Sequence, residues 1–522
     1  MRTRLLVCVL LSVPCAGAAA QGVSFVDVTT AAGLSGEYFM PGYDIPGGGA
    51  VADFNNDGFQ DVVRLGGWLG DKLFINNGNG TFTESSQAWG MNGVHRGIGV
   101  AIGDYNKDGW LDAYVTSFGL GAQVGQHKLY RNEGGTHFSD QAVNAGVHLV
   151  NGPLEDGFGA AFGDYDLDGD LDLFVGGWHT FAGNTLFENL GTGSFAIVTQ
   201  AALGAVNAYS FAPRFVDMNG DFYPELLIAG DYATSQYFLN DGAGGFINYT
   251  VASGTGIDGN GMGQTVADYD GDGRLDWYVT SVHTPVAPDP IIPGTGNLLY
   301  MQQPNHTYAE TSLQAGVNDG GWGWGALSID FDHDGFVDII ETNGWKTAEW
   351  DNENSRAFRN DGTGNFSDVS VATGIATHTL QGRGIAALDY DNDGDQDVLF
   401  FANNEPMRLY RCDLTGPDRN WLRILLDTSS VATLAPNGFG SRVRVNVAGV
   451  EQLRSLDGGC NYLSQSELSV HFGLQGATVV DEVRVEWSNG VASIFENVAI
   501  NQTLTLAPGA MTFVRGDCNA DG

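Results

Sequence analysis

Basic residues are scarce in this 522-residue chain. Only 23 lysines and arginines accompany 62 aspartates and glutamates, which gives a formal net charge of −39. So acidic a surface repels phosphates, which argues against nucleic acid and anionic membranes as partners. Charged residues nevertheless make up only 16% of the chain, and 43% of it is hydrophobic. The acidity therefore does not indicate a disordered chain, because there is enough apolar material to bury a core.

Long hydrophobic runs are missing beyond the N-terminus. The first residues, "MRTRLLVCVLLSVPCAGAAAQG", place Arg2 and Arg4 before an apolar run and then small residues. This pattern predicts a secretory signal peptide over residues 1–20. No later stretch reaches the roughly 18 apolar residues of a membrane span. We therefore predict a protein secreted to the periplasm, the cell surface or the extracellular space, with no membrane span.

Motifs that carry catalysis are missing as well. The chain has no G-x-S-x-G, no H-E-x-x-H, no P-loop and no C-x-x-C. His471 lies in the stretch "YLSQSELSVHFGL" and is a candidate base. A lone histidine beside serine and glutamine is more often structural. We predict that the protein is not an enzyme and has no catalytic residues.

Seven aspartate-rich stretches are the most prominent feature that is present. They begin at Asp53, Asp104, Asp164, Asp217, Asp268, Asp330 and Asp389, spaced 51 to 62 residues apart. A repeat of this period is typical of a propeller or a solenoid. We number the stretches turn one to turn seven, and their residues position one to position nine.

Each repeat predicts four short strands. A strand of small residues such as "GAVAD" precedes the turn, an apolar strand such as "DLFVGG" follows it, and a hairpin such as "LFINNGNGTFTE" completes the unit. Four strands per repeat make a propeller blade. The seventh repeat stops at "MRLYRC", and its missing strand resembles "VSFVDVTTAAGL" from Val23. We expect residues near Phe25 to complete the last blade beside Leu409 and Tyr410, which closes a seven-bladed, all-β propeller over residues 22–412.

The turns predict calcium sites. Unpaired carboxylates about 4 Å apart repel by roughly 4 kcal/mol at an effective dielectric constant of about 20, whereas Ca²⁺ takes 6–8 oxygen ligands. Positions one, three, five and nine offer side-chain oxygens, and position seven offers its carbonyl. The predicted ligands are Asp53, Asn55, Asp57 and Asp61; Asp104, Asn106, Asp108 and Asp112; Asp164, Asp166, Asp168 and Asp172; Asp217, Asn219, Asp221 and Glu225; Asp268, Asp270, Asp272 and Asp276; Asp330, Asp332, Asp334 and Asp338; and Asp389, Asp391, Asp393 and Asp397.

An EF-hand and a solvated Asp/Gly loop are two other interpretations of these turns. An EF-hand requires Glu at position 12 and helices on both sides. Glu stands there only in turn six, and the flanking segments are predicted strands, so an EF-hand is rejected. A solvated Asp/Gly loop explains a single turn, but seven in register favour metal binding. Turn four has Phe222 where the other six have Gly, and the sequence leaves its metal binding open.

These residues also resemble known families. The stretches "FGAAFGDYDLDGDLD" and "WGALSIDFDHDGFVD" resemble FG-GAP (VCBS-type) repeats of integrin α-subunit propellers. After a linker at 413–419, residues 420–508 are similar to the ASPIC/UnbV domain, a combination found in the cartilage-acidic-protein-like family. The resemblance implies a calcium-stabilised propeller with a small C-terminal β domain. The tail, residues 509–522, resembles the beginning of a dockerin-like calcium turn.

Two cysteines depart from the repeat and family patterns. Cys412 stands where other blades have Asn or Gln, and Cys460 stands where the ASPIC/UnbV family has a small residue. Two such departures suggest a disulfide between them. The alternative is a pair of free thiols.

The resemblance implies a role in adhesion or scaffolding, with an extracellular protein or glycan as the partner. We name the end of the propeller that carries the seven turns the turn face, and the opposite end the loop face. Trp68, Trp178 and Trp345 follow the second strand of their blades and are candidate ligand anchors on the loop face. Alternatively, they pack between blades. The alternative function is a propeller-based polysaccharide lyase or hydrolase in which calcium is structural or polarises the substrate.

Overall fold

The computed structural model describes residues 22–40, 42–119, 125–149, 156–179, 183–284, 294–347, 350–351 and 353–509. The predicted signal peptide and all of the tail beyond residue 509 lie outside these ranges. Strands dominate the described part, and they form seven four-stranded antiparallel units followed by a smaller β domain. The predicted all-β, seven-bladed propeller is confirmed.

The first six blades are consecutive in sequence. Their strands, from the propeller axis outward, have the following bounds: blade one, β2 (Gly49–Ala52), β3 (Asp61–Arg64), β4 (Lys72–Asn76) and β5 (Phe82–Glu84); blade two, β6 (Gly97–Gly103), β7 (Asp112–Ser117), β8 (Lys128–Asn132) and β9 (Phe138–Asp140); blade three, β10 (Ala160–Gly163), β11 (Asp172–Val175), β12 (Thr185–Asn189) and β13 (Phe195–Ile197); blade four, β14 (Tyr209–Val216), β15 (Glu225–Asp231), β16 (Gln236–Asn240) and β17 (Phe246–Asn248); blade five, β18 (Gln264–Ala267), β19 (Asp276–Val279), β20 (Leu298–Gln302) and β21 (Tyr308–Glu310); blade six, β22 (Gly323–Ile329), β23 (Asp338–Asn343), β24 (Arg356–Asn360) and β25 (Phe366–Asp368).

Blade seven joins the two ends of the propeller sequence. It consists of β26 (Gly382–Leu388), β27 (Asp397–Ala402), β28 (Arg408–Thr415) and, as its outer strand, β1 (Gly22–Asp27). The pairing of β1 with β28 is antiparallel and places Phe25 opposite Cys412 and Asp27 opposite Tyr410. Because β1 pairs with the outer edge of β28, blade seven has four strands like the other blades and the ring is closed.

Burial within each blade decreases from the axis outward. In blade one, every residue of β2 and β3 is buried, whereas β5 buries only Phe82. Strands covered on both faces require continuous apolar or small residues, and outer strands need only one apolar face. The innermost strands contact each other around the axis in the order β2, β6, β10, β14, β18, β22 and β26, with Gln264 of β18 donating to the Ala212 carbonyl of β14.

One-turn helices follow the outer strands of the first six blades: α1 (Ser86–Trp89), α2 (Ala142–Ala145), α3 (Thr199–Ala202), α4 (Thr250–Ser253), α5 (Ser312–Ala315) and α6 (Ser370–Thr373). Short 3₁₀ turns occupy Ile375–Thr377 and Pro436–Gly438. Within the described residues, no helix combines the length and apolar character that crossing a membrane requires.

The C-terminal domain is built from two sheets. The first has the order β33 (Val470–Gln475), β29 (Asn420–Leu426) and β36 (Gln502–Leu506); the second has the order β31 (Val450–Leu456), β30 (Ser441–Val447), β34 (Val480–Glu486) and β35 (Ala492–Val498). Leu422, Phe472, Val443 and Trp487 are buried together between these sheets. The short strand β32 (Ser464–Gln465) leaves this domain and pairs with β2 of blade one. The division into propeller, linker and C-terminal domain at residues 412 and 420 remains our proposal.

The disulfide predicted between Cys412 and Cys460 is not formed. Both residues are buried free thiols. The Cys412 thiol points to the Phe331 carbonyl in blade six, at 3.6 Å. Cys460 instead lies near the propeller axis, where its backbone N–H donates to the Pro213 carbonyl at 3.1 Å. Cys412 belongs to the core cluster of blades six and seven, and Cys460 to that of blades four and five.

Candidate metal centres

In turns one, three, five, six and seven, the position-nine carboxylate accepts one backbone N–H from its own turn and one from the third strand of the blade. Each turn joins the first and second strands of its blade. In turn five, Asp276 accepts backbone N–H groups from Tyr269 at 3.0 Å and from Gln302 of the third strand at 2.7 Å. Asp397 of turn seven accepts the equivalent pair from Tyr390 and Cys412. The final acid therefore fixes the turn to the blade before any ion is considered.

The position-one carboxylate organises the bend itself. In turn five the N–H of Gly273, at position six, donates to Asp268 at 2.9 Å, and the N–H of Asp272 donates to the other carboxylate oxygen at 3.0 Å. Gly273 has φ = 84°, a conformation that favours glycine. The requirement for glycine at position six follows from this geometry.

Four turns gather three carboxylates each. One oxygen from every member of a group lies within 4.8 Å of the others. One member, Asp332 of turn six, also pairs with Arg359 at 2.5 Å. The groups are Asp164, Asp166 and Asp172; Asp268, Asp270 and Asp276; Asp330, Asp332 and Asp338; and Asp389, Asp391 and Asp397. These are positions one, three and nine of the four turns in which the sequence has acids at all four ligand positions. The described residues thus include groups that can hold a metal ion.

The position-five carboxylates do not belong to these groups. Asp108 pairs with Arg131 at 3.2 Å, and Asp334 pairs with Arg359 at 3.1 Å. Asp168 accepts the backbone N–H of Asp170 at 2.8 Å. Position five therefore lies at the solvent side of each group, and its role as a ligand remains a prediction.

Burial sets the protonation of the clustered acids. It raises the pKa of Asp164 to about 8, and the nearby carboxylates of Asp168 and Asp166 add to the effect. In the same way burial raises the pKa of Asp330 to about 7 and that of Asp389 to about 7. A divalent cation among these groups would favour their ionised forms.

Five turns contain a buried side-chain oxygen that accepts no hydrogen bond from the described residues. These oxygens are Asp112 Oδ2, Asp164 Oδ1, Asp270 Oδ1, Asp330 Oδ1 and Asp391 Oδ1, in turns two, three, five, six and seven. Buried polar atoms are rarely left without a partner, so each of these oxygens indicates a missing donor or cation. Hard oxygen donors in this number are the set that Ca²⁺ prefers, and the residues fit that ion.

The C-terminal domain covers part of the turn face with arginines. Arg423 on β29 lies 3.8 Å from Asp389 of turn seven, and Arg454 on β31 lies 3.9 Å from Asp330 of turn six. The backbone N–H of Gly473 also donates to Asp330, at 2.9 Å. The sequence pattern did not predict these contacts. The only available signal was that several of the chain's few basic residues fall in the C-terminal domain.

The segment 457–467, which we name the plug, leaves the C-terminal domain and fills the propeller axis. Asp457 forms an ion pair with Arg214 near the turn face, at 2.5 Å. Tyr462 reaches the other end, where its hydroxyl donates to the Ile45 carbonyl at 3.0 Å. The plug contacts all seven blades. Ser464 pairs with Gly49 of blade one and bonds to Ile385 of blade seven, and Gln465 bonds to Ile102 of blade two. Cys460 packs on Gly159 of blade three and bonds to Pro213 of blade four, Asn461 bonds to Gln264 of blade five, and Tyr462 packs on Trp324 of blade six.

His471 is buried where the C-terminal domain packs on turns six and seven. Its Nε2 lies 3.0 Å from the Gly394 carbonyl of turn seven, and its ring lies 4.8 Å from that of His333 in turn six. Burial lowers the pKa of His471 well below its ordinary value, so it stays neutral near pH 7. Both histidines contribute to domain packing.

The three tryptophans predicted as ligand anchors differ in exposure. Trp68 is 41% exposed at the loop face. Trp178 is half-buried and stacks on Phe211 at 5.8 Å, and Trp345 stacks on Trp322 at 4.7 Å. Trp178 and Trp345 therefore pack against the central core cluster, and only Trp68 presents a large free area.

Comparison with known proteins connects these features to families. A model of the FG-GAP-like repeat matches residues 37–115, 164–228, 217–279 and 347–400, and a model described as ASPIC and UnbV matches residues 433–512. The chain carries FG-GAP-like repeats and an ASPIC/UnbV domain. These matches confirm the resemblance inferred from the aspartate-rich turns and the C-terminal motif.

Individual relatives cover only part of the chain. Cartilage acidic protein 1 of Mus musculus is 26% identical over 283 residues, which are 49% of this chain and 42% of the relative. Integrin alpha-3 of Cricetulus griseus is 30% identical over 152 residues, which are 26% of this chain and 14% of the relative. A crystal structure of BBS1N in complex with ARL6DN aligns with a TM-score of 0.41 and 10% identity, covering 74% of this chain and 96% of that chain. The chain thus spans less than half the length of these two sequence relatives.

Proposed function

We propose that the protein is a secreted, calcium-binding propeller that serves as an extracellular scaffold and binds a protein or glycan at its loop face. The observation that carries the proposal is the set of buried carboxylate groups whose oxygens include some with no hydrogen-bond donor in the described part of the chain. Calcium in these turns would fix the first two strands of each blade. The propeller would then be a rigid support and not itself a reaction centre.

The position of the C-terminal domain supports the loop face as the binding surface. This domain lies over turns four, six and seven, and its plug fills the axis as far as Tyr462. A partner approaching the turn face would meet the C-terminal domain first. The loop face instead presents Trp68, with the Arg96 guanidinium carbon 5.8 Å from the centre of its ring. Aromatic and arginine side chains are frequent anchors in binding sites.

Arrays of extracellular proteins and glycans, probed with and without calcium, test this function. We expect calcium-dependent binding that Trp68→Ala reduces at least tenfold. Leu313→Ala is the matched control, because Leu313 is 75% exposed but lies on the outer helix of blade five. Equal loss in both variants, or unchanged binding by Trp68→Ala, contradicts the loop-face site.

The proposal assigns binding and not catalysis to the chain. The alternative, a polysaccharide lyase or hydrolase, predicts depolymerisation of a bound glycan. Incubating any glycan identified on the array with the protein, and measuring its chain length, separates the two functions. A shortened product would contradict the scaffold proposal.

A further inference from the structure

Turn four has a similar backbone to the other six turns but a different residue at position six. Elsewhere position six is a glycine with φ between 84° and 96°, whereas turn four has Phe222 there with φ = 77°. Bulky residues rarely adopt positive φ, so a specific contact has to compensate for the strain. A Cβ added to Gly490 would lie 3.5 Å from the Phe222 ring. Phe222 therefore faces the C-terminal domain and contributes to that contact.

The first acid of turn four has hydrogen-bond donors on both oxygens. Asp217 Oδ1 accepts the backbone N–H of Gly220 at 2.7 Å and lies 3.1 Å from Arg442 Nη2. Its Oδ2 accepts the N–H of Phe222 at 2.9 Å. In turns three and six one oxygen of the first acid has no donor among the described residues, and in turns five and seven the oxygen without a donor belongs to the acid at position three.

The last acid of turn four is likewise fully occupied. Glu225 Oε2 accepts the backbone N–H of Met218 at 2.7 Å, and Oε1 accepts the side-chain amide of Asn219 at 3.1 Å. The same amide also donates to Asp221 at 2.9 Å. Unlike the four groups of clustered acids, turn four contains no buried side-chain oxygen without a hydrogen-bond donor among the described residues.

Arg442 brings a positive charge to the first acid of turn four. It is 8% exposed, and Nη2 also donates to the Asp217 carbonyl. A Cβ on Gly220 would lie 3.0 Å from Nη1, so glycine at position four makes room for the guanidinium. Arg423 and Arg454 stay 3.8 and 3.9 Å from their acids, beyond direct hydrogen bonding. Arg359, from the hairpin of blade six, pairs with Asp332 and Asp334 of turn six at 2.5 and 3.1 Å, but it leaves Asp330 Oδ1 without a donor among the described residues. Among the three arginines of the C-terminal domain that reach a turn, Arg442 alone lies within hydrogen-bonding distance of the first acid.

We propose that Arg442 takes the place of calcium in turn four, so that this turn binds the C-terminal domain and no metal ion. The guanidinium supplies a permanent charge and planar N–H donors, which satisfy the carboxylate as a cation would. A calcium ion at the same turn would be repelled by Arg442 and would find fewer free oxygens. The inference rests on the proposed function only for the presence of calcium in the other turns.

Crystals grown in calcium and soaked in terbium test the inference site by site. We expect anomalous peaks at turns three, five, six and seven, and at turn four the Arg442 guanidinium without a peak. A peak at turn four together with peaks elsewhere overturns the inference and leaves the calcium proposal standing. Crystals without a peak at any turn contradict the calcium proposal, and this inference falls with it.

Variants give a second measurement in solution. The double variant Arg442→Gln with Phe222→Gly restores a glycine at position six and removes the guanidinium. Native mass spectrometry in calcium should then count one more bound ion per chain than in the wild type. Arg484→Gln is the matched control, because Arg484 pairs with Glu486 inside the C-terminal domain at 3.1 Å. An unchanged count in a folded double variant overturns the inference, and if that variant does not fold, the wild-type crystals decide.

Discussion

At the scale of single residues, substitution of Asp391 can test metal binding separately from folding. The Oδ1 of Asp391 is buried and has no hydrogen-bond donor among the described residues, and Asp389 and Asp397 each accept a backbone N–H of the turn. Replacing it should therefore affect the ion and leave the blade intact.

We expect Asp391→Asn to lose one bound calcium and to reduce the free energy of unfolding by about 2–3 kcal/mol when free calcium is about 100 times its dissociation constant. Chemical denaturation in calcium and in chelator measures this, and in chelator the variant should match the wild type. Asp361→Asn, in an exposed hairpin, is the control. A similar loss in chelator would show that Asp391 has a structural role that does not depend on metal.

The two buried thiols give a second prediction at this scale. Burial raises the pKa of Cys460 to about 11 and that of Cys412 well above its ordinary value, so neither is reactive in the folded protein. We expect less than about a tenth of either thiol to be alkylated in native buffer at pH 7.5 under conditions that label an exposed thiol fully.

In denaturant without reductant, both should be alkylated completely, as peptide mapping by mass spectrometry would show. Protection of both cysteines until reductant is added would mean that they are oxidised to each other.

At the scale of the element, the turns make stability depend on pH when calcium is removed. Burial raises the pKa of Asp61 and of Asp164 to about 8, from 3.8. The folded state therefore binds more protons than the unfolded state between about pH 4 and pH 8. Stability from these groups is complete below pH 4 and is lost as the pH rises through their folded pKa values.

Accordingly, we expect the chelated protein to melt at a lower temperature at pH 8 than at pH 5.5. Each strongly shifted carboxyl contributes at most about 1.4 kcal/mol per pH unit within its window. Calorimetry at both pH values measures the difference, and saturating calcium should remove most of it. A chelated protein that is more stable at pH 8 contradicts the proposed crowding of acids.

Much at this scale was predictable because the signal is local. The nine-residue turn contains its own bend and most of its oxygens, so the sequence predicted the turns, the four strands per blade and the partner strand from Val23. The proposed replacement of calcium by Arg442 at turn four has a signal in the sequence of the turn, namely Phe222 and Glu225. Arg442 itself lies more than 200 positions away. Spacing along the chain carries no information about which strand of another domain faces a given turn.

At the scale of the whole molecule, the plug and the tryptophans show the same limit. Trp178 and Trp345 occupy equivalent positions to Trp68, yet the core of neighbouring blades covers them. Cys460 looked like half of a disulfide because nothing in the sequence reveals that its loop enters the propeller axis. These outcomes depend on contacts between blades and domains, which a periodic pattern does not encode.

The side-chain amide of Gln465 in the plug should contribute strongly to the stability of the protein. Gln465 Oε1 accepts the N–H of Ile102 at 2.8 Å, and its Nε2 donates to the carbonyl of the same residue at 3.1 Å. Gln465→Ala would leave both buried backbone groups without partners, at about 1–3 kcal/mol each. We expect the free energy of unfolding to fall by about 2–5 kcal/mol in total, measured by denaturation in calcium.

Gln502→Ala is the control for that experiment, because the Gln502 side chain donates to the nearby Ala499 carbonyl in an exposed hydrogen bond. A fall of less than about 0.5 kcal/mol in Gln465→Ala, the range of an ordinary surface substitution, would mean that the plug does not support blade two.

The path of the chain through the axis also constrains how the protein is made. Translation runs from the N-terminus, so all seven blades leave the ribosome before residues 457–467 exist. Until then, water has to solvate the inner backbone groups such as those of Ile102 and Ile385, which later bond to the plug. The plug is therefore the last part of the propeller interior to form. A nascent chain that stalls after blade seven would keep a water-filled channel along its axis.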